Sequence, residues 1–267
     1  MIVAYDGTDF HGWQKQTHPD RRYLRTVQDV LEKAVVKVMR EPVTLIGASR
    51  TDTGVHANGQ VVAFDANNVI KPEKLVLGFN SWLPDDIQVR EVGIAEEWFN
   101  PINHCTSKGY KYKLAHGCSN PLHKPLFDRK FTAFTAYKLD AIKMQEAADY
   151  FLGEHDFAGF TKLNHGRKST IRCVDQCDVR DEGNWRITIE VAGAGFLWNM
   201  VRIIAGTLLE VGRGYTNPGS IPEIIASCDR RRAGKTMPAH GLSLEWVNFE
   251  NQLPNKLAIS KNPCSEK

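Results

Sequence analysis

The chain has 267 residues, about 1.8 times a typical 150-residue domain, so one large domain or two modest ones are expected. Its 42% apolar and 24% charged residues suit a globular protein with a buried core, and they exclude a wholly disordered chain, a collagen-like fibre or a disulfide-stapled miniprotein. The net charge of +3 is mildly basic: compatible with an anionic partner, without demonstrating one.

The chain reads in order as follows. Ile2 to Tyr5 forms a short strand ended by the turn residues Asp6-Gly7-Thr8. A loop rich in aromatic and basic residues follows, with Phe10, His11, Trp13, Lys15, Arg21, Arg22 and Arg25. Thr26 caps a helix, with Asp29 completing an approximate capping box, and Val27, Val30, Leu31, Ala34 and Val38 recur at helical spacing until Pro42. Val43 to Gly47 reads as a buried strand and Gln60 to Phe64 as another. Pro72 opens a helix through Leu75, Leu77 and Trp82, and Ile87 to Ile94 adds a strand. Tyr110, Tyr112 and Leu114 alternate with Lys111 and Lys113, a half-buried strand. A helix spans about Leu139 to Leu152, and Ile171–Val179 and Trp185–Val191 form a hairpin. Phe196–Val211 is an apolar helix, Ile221–Ala226 a short one, and Leu242–Phe249 the closing strand.

The resulting order is βαββαβ twice, an α+β fold built from two tandem ferredoxin-like halves. The expected division is residues 1–104, residues 105–250 and a disordered polar tail over residues 251–267. Two such sheets can join edge to edge, leaving a cleft across the open face. No apolar run approaches the ~18 residues of a membrane span, and Met1–Gly7 lacks the character of a secretion signal. A soluble cytoplasmic protein with no membrane partner is the expectation. The six cysteines are expected to be reduced, and the Cys173/Cys177 spacing without a second Cys/His pair makes no zinc site.

One segment carries chemistry: Gly47-Ala48-Ser49-Arg50-Thr51-Asp52-Thr53-Gly54-Val55-His56-Ala57. It sits at a strand-to-loop junction, where side chains project from a rigid scaffold. If the backbone is extended, Arg50 and Asp52 fall on one side, and the guanidinium lowers the Asp52 pKa. Gly54 permits a sharp turn behind it. An isolated Arg-x-Asp is more often a structural ion pair. An aspartic protease needs two carboxylates sharing a proton, and no second Asp-Thr-Gly or Asp-Ser-Gly occurs.

The full string, with Ala4-Tyr5-Asp6-Gly7-Thr8-Asp9-Phe10-His11-Gly12-Trp13-Gln14, resembles the tRNA pseudouridine synthase A family. Further matches are Gln60-Val61-Val62, Asn80-x-x-Leu83-Pro84, Tyr110-Lys111-Tyr112, Gly153-Glu154-His155-Asp156-Phe157, Phe196 through Met200-Val201-Arg202, and Gly241-Leu242. They run in family order across residues 2–249. The resemblance implies the pseudouridine synthase fold, two α/β halves around a central, mainly antiparallel sheet. It implies conversion of uridine to pseudouridine at positions 38, 39 and 40 of the tRNA anticodon stem-loop, by a homodimer that needs no cofactor and no metal. The target base leaves its stack first.

By the same resemblance Asp52 is the nucleophile, whether it attacks the base or the sugar or takes a sugar proton. Tyr110 packs on the base, and Arg50 and Arg202 give electrostatic support. Read alone, Tyr110 is an ordinary core tyrosine, and Arg202 is either paired with Asp52 or reaches solvent. His56 is assigned no chemical step. RNA-contact candidates are Phe10, Trp13, Gln14, Lys15, Lys108, Lys111, Arg167 and Lys168, with Lys113, Arg172, Arg230-Arg231-Arg232 and Lys235 as further positive charge. The chain departs from the family at Ser49, Thr53, Ile102 and Gly109; the last two replace frequent arginines and bear on tRNA grip rather than catalysis. An RNA-binding protein with a dead site is the rival reading.

Overall fold

A computed structural model describes residues 1–16, 24–162 and 168–249. Arg21, Arg22, Arg167 and the tail of residues 251–267, which includes Cys264, lie outside the described residues.

The first block consists of β1 (Ile2–Tyr5), α1 (Val27–Met39), β2 (Ile46–Gly47), β3 (His56–Ala63), α2 (Pro72–Asn80) and β4 (Ile87–Glu91). Helix α1 starts where the Thr26 side chain accepts a hydrogen bond from the Asp29 N–H, and it buries Leu31, Ala34, Val35 and Met39. Arg40, with φ of 58°, turns left-handed and closes it. The Asp29 carboxylate pairs with Lys33 at 2.7 Å and Lys15 at 3.5 Å.

The second block holds β5 (Cys105–Ala115), β6 (Ala133–Phe134), α3 (Ala141–Asp149), β7 (Gly153–Asp156), β8 (Ile171–Gly183), β9 (Arg186–Gly193), α4 (Met200–Gly212), α5 (Ile221–Ala226) and β10 (Leu242–Phe249). One sheet contains all ten strands in the order β4-β1-β3-β10-β5-β9-β8-β7, with β2 on β3 and β6 on β5. Both blocks put their first strand between their last and next-to-last: β1 lies between β4 and β3, and β5 between β10 and β9. The repeat of element order is therefore also a repeat in space. Pairing is antiparallel except for β3 with β10 and β5 with β6.

The junction of the blocks positions the site. Strand β3 offers one edge to two partners: its beginning pairs with β10 (Ser243↔His56, Leu244↔Ala57) and its end with β2 (Ile46↔Ala63, Gly47↔Val62). Between those contacts β2 and β10 diverge, and the chain from Ala48 to Val55 occupies the fork. Gly59 faces the Glu245 carbonyl across this seam, and any side chain there would strike it.

Several boundaries differ from the sequence reading. The strand expected over Val43–Gly47 shrinks to Ile46–Gly47 because α1 side chains take the Leu45 backbone: Glu32 accepts from its N–H at 3.3 Å and Gln28 donates to its carbonyl at 2.9 Å. The helix expected from Phe196 begins at Met200, since Asn199 is left-handed with φ of 65°. The β8–β9 hairpin turns through Asn184 and Trp185, both at positive φ, as a twisted two-residue turn requires. Trp185 is retained in that conformation by stacking on His123, centroids 4.0 Å apart. Polar strand β7 gives no alternating signal and forms only as an edge on β8.

Candidate active site

The loop from Ala48 to Val55 is fastened from both sides. The first loop of the chain grips it from below: Trp13 N–H donates to the Thr51 carbonyl at 3.0 Å and Gly54 N–H to the Phe10 carbonyl at 3.3 Å. The Tyr5 and Thr51 hydroxyls bond at 2.8 Å. Gly12, at φ of 83°, passes so close to the Thr51 carbonyl that a side chain would collide with it. From β3, the wholly buried Gln60 amide accepts from the Ser49 N–H at 3.1 Å and donates to the Ser49 carbonyl, completing the ladder after β2 ends. His56 accepts from the Gly7 N–H at Nδ1 (3.0 Å), so its Nε2 carries the proton toward the Lys130 carbonyl at 2.9 Å. It is a packed histidine.

These anchors bury part of the first loop. Phe10 and Trp13, expected as contacts, are 1% and 2% exposed: Phe10 packs beneath the Arg25 guanidinium, 3.9 Å from the ring centroid, and Trp13 fills the space above Gly47 while also bordering the larger of the two clefts described below. Lys15 forms ion pairs with Glu32 at 3.1 Å and Asp29 at 3.5 Å. Lys111 pairs with Glu190 at 3.0 Å, one residue out of phase with the cleft-lining Tyr110 and so on the other sheet face. Lys168 is exposed and lines neither cleft described below.

Asp52 stands between two clefts, of about 700 Å3 and 960 Å3, whose shared wall is Thr51, Asp52, Trp198, Asn199 and Arg202. Its carboxylate lies 3.5 Å from Arg202 Nη1. Arg202 occupies the first turn of α4, its Nε–H donating to the Met237 carbonyl (2.7 Å) and its Nη1 to Asn199 Oδ1 (2.8 Å). That guanidinium is aimed because Gly206 and Gly234 let the 230–237 segment lie against α4 without side chains between them. Burial raises the Asp52 pKa; the Arg202 charge and a hydrogen bond from Trp198 oppose the rise. This corrects the expectation of a pKa lowered by Arg50. The chain turns immediately after Asp52, where Val55 N–H folds back to its carbonyl at 3.1 Å and Gly54 lies at φ of 77°. Arg50 is instead exposed at the rim of the smaller cleft.

Tyr110, on β5, lines that smaller cleft and is 8% exposed. Its hydroxyl bonds to Ser49 Oγ at 2.8 Å, and its ring meets Phe196 edge-on, centroids 5.3 Å apart. Burial pushes its pKa up to about 12, so the phenol stays protonated. Lys108, two residues earlier on the same face, donates to the Ala48 carbonyl at 3.1 Å. Asp52, Tyr110 and Arg202 thus converge on one cavity, and Gln14 lines the larger one. Sequence reasoning missed Trp198 and the bridging amide of Gln60; the helical spacing around Trp198 concealed it. Among the described residues no three His, Cys, Asp or Glu side chains gather as a metal site, and no helix is long and apolar enough to cross a membrane.

Residues 1–97 and 147–250 match the tRNA pseudouridine synthase family. The chain belongs to that family. A tRNA pseudouridine synthase A of Acetivibrio thermocellus is 42% identical over 249 residues, which is 93% of this chain and 98% of the relative. Proteins of the same name from Bacillus pumilus (41% over 251 residues, 93% and 98% covered) and Thermoanaerobacter sp. (42% over 244 residues, 91% and 96% covered) are similarly close. A solved structure, "Crystal Structure of a Cbf5-Nop10-Gar1 Complex", aligns at a TM-score of 0.38 and 12% identity over 92% of this chain and 57% of that one, too distant to argue from.

Membership gives the departures physical content. A side chain at Gly109 would run into the Trp246 indole, which fills the space beside that strand. Ile102 lines the smaller cleft and is 55% exposed, an apolar patch at its mouth. Ser49 supplies the hydroxyl that holds Tyr110.

Proposed function

We propose that this chain isomerises uridine to pseudouridine at positions 38, 39 and 40 of the tRNA anticodon stem-loop, with Asp52 as nucleophile. The observation that carries this reading is the Asp52 carboxylate beside Arg202 at the base of a cleft walled by Tyr110. The N1–C1′ bond breaks, the uracil turns while held, and C5–C1′ forms; the proton leaves C5 and N1 gains one. No electrons are transferred, so no redox cofactor is required. Tyr110 packs on the extruded uracil, and stacking worth about 1–3 kcal/mol offsets much of the cost of unstacking. Its protonated hydroxyl is tied to Ser49, which keeps the ring at a fixed angle to the cavity. Arg202 keeps Asp52 ionised against burial, and Arg50 at the rim meets the phosphate backbone.

In this reading residues 1–104 supply the acid and residues 105–250 the base-packing tyrosine and the guanidinium. The protein works in the cytoplasm as a homodimer embracing tRNA, and Gln14, Lys108 and Lys168 remain candidate RNA contacts. The test is tritium release from tRNA labelled at uridine C5. Wild type should release it and Asp52→Asn should not rise above background; equal silence from both would instead favour an RNA binder without chemistry.

A further inference from the structure

The larger cleft, on the far side of the Asp52–Arg202 pair, contains two cations with no carboxylate partner among the described residues. Arg230 is half-buried, and its guanidinium donates only to neutral oxygens: the Ala233 carbonyl (3.3 Å), the Gly234 carbonyl (2.9 Å) and Thr236 Oγ1 (3.1 Å). Burial lowers its pKa with nothing anionic to restore it. A guanidinium partly withdrawn from water in this way has neutral oxygens but no counter-charge beside it. Lys162 holds its ammonium 4.4 Å from the centroid of the Trp198 ring. That ring is 47% exposed and is tethered through its own carbonyl, which accepts from the Thr161 hydroxyl at 3.1 Å. An exposed indole with two cations beside it that lack carboxylate partners among the described residues is the arrangement that takes one base by stacking and its phosphate by charge.

We propose that the larger cleft is a subsite for the nucleotide adjacent to the target uridine, its base stacked on Trp198 and its phosphate held by Lys162 and Arg230. The inference rests on the RNA substrate proposed above. Trp198 forms part of the wall common to both clefts, so a strand passing over Asp52 delivers neighbouring nucleotides to opposite sides of it. Arrival of the base displaces the Lys162 ammonium from the ring toward the phosphate. Arg230 is already fixed by its three neutral partners and needs no reordering.

The experiment measures binding of anticodon stem-loop oligonucleotides to the full chain, with an abasic residue placed either immediately 5′ or immediately 3′ of the target uridine. Wild type should lose roughly five- to a hundredfold in affinity for one of these two RNAs, the contribution of a single stacked base. Trp198→Ala should show the same loss with intact RNA and no further loss with that abasic RNA, while Trp198→Phe, which keeps a ring, should bind nearly as wild type. Lys162→Ala, at an exposed position that does not disturb folding, should reduce the slope of log affinity against log salt by about one. Additive losses for Trp198→Ala and the abasic RNA, or an unchanged salt slope for Lys162→Ala, would overturn the subsite. Because binding is read separately from turnover, a wild type that binds with this pattern but releases no tritium defeats the proposed activity and leaves the subsite standing.

Discussion

At the scale of single residues, Asp52 is held between two opposing influences. Burial disfavours its charge, whereas Arg202 and the Trp198 indole favour it. Asp52 therefore titrates above its ordinary value, and activity that needs the anion falls as pH drops through that raised pKa. Replacing Arg202 with Met removes the strongest counterweight, so the acid limb of the kcat profile should move to higher pH. Turnover at neutral pH should fall by about tenfold or more, as when a charge-stabilising group is lost from an active site. Pseudouridine formation measured across pH checks this, and an unmoved limb would mean that Arg202 does not control the ionisation. The acid itself was legible in the sequence, because the string around it is distinctive. Its pairing with Arg202, expected from the resemblance, is present at 3.5 Å, whereas Arg50, also expected to support it, stands exposed at the rim of the smaller cleft. Arg202 is 150 positions away and meets Asp52 only through the sheet topology.

At the scale of elements, the loop from Ala48 to Val55 is held by side chains that imitate backbone. Gln60 supplies to Ser49 both hydrogen bonds that a neighbouring strand would have made. Gln60→Leu leaves a buried N–H and carbonyl without partners, a loss of about 1–3 kcal/mol for each group. A lower Tm and a reduced kcat should appear together, because the same Ser49 carries the hydroxyl that orients Tyr110; a stability loss with full kcat would show that the loop keeps its shape without Gln60. Many elements could be read directly. Ile221–Ala226 and Leu242–Phe249 have the expected bounds, and Thr26 caps α1 as expected. Failures came where side chains replaced backbone pairing, as at Leu45, or where one left-handed residue ended a periodic pattern, as at Asn199. The rings of Phe10 and Trp13, expected as RNA contacts from the composition of their loop, are buried beneath the acid's loop, and Trp13 also borders the larger cleft.

At the scale of the molecule, two copies of one topology share a sheet, and the doubled element order in the sequence was sufficient to anticipate this. Composition could not reveal how narrow the join is. Backbone register between the blocks consists of Ser243↔His56 and Leu244↔Ala57. Beyond it, the blocks are linked around the cleft by Asp52–Arg202, Ser49–Tyr110 and Lys108–Ala48. Gly59→Ala forces a methyl against the Glu245 carbonyl and should widen this seam. In a urea titration of that variant, activity should disappear at a lower concentration than far-ultraviolet ellipticity, with each block still folded. Coincident transitions would show that the blocks part only by melting.

The acid reaches the guanidinium only across that narrow join, so each repeat by itself is chemically mute. Competence arises from the way the copies are sewn together, and wear along the stitching would silence the enzyme long before its fabric came apart.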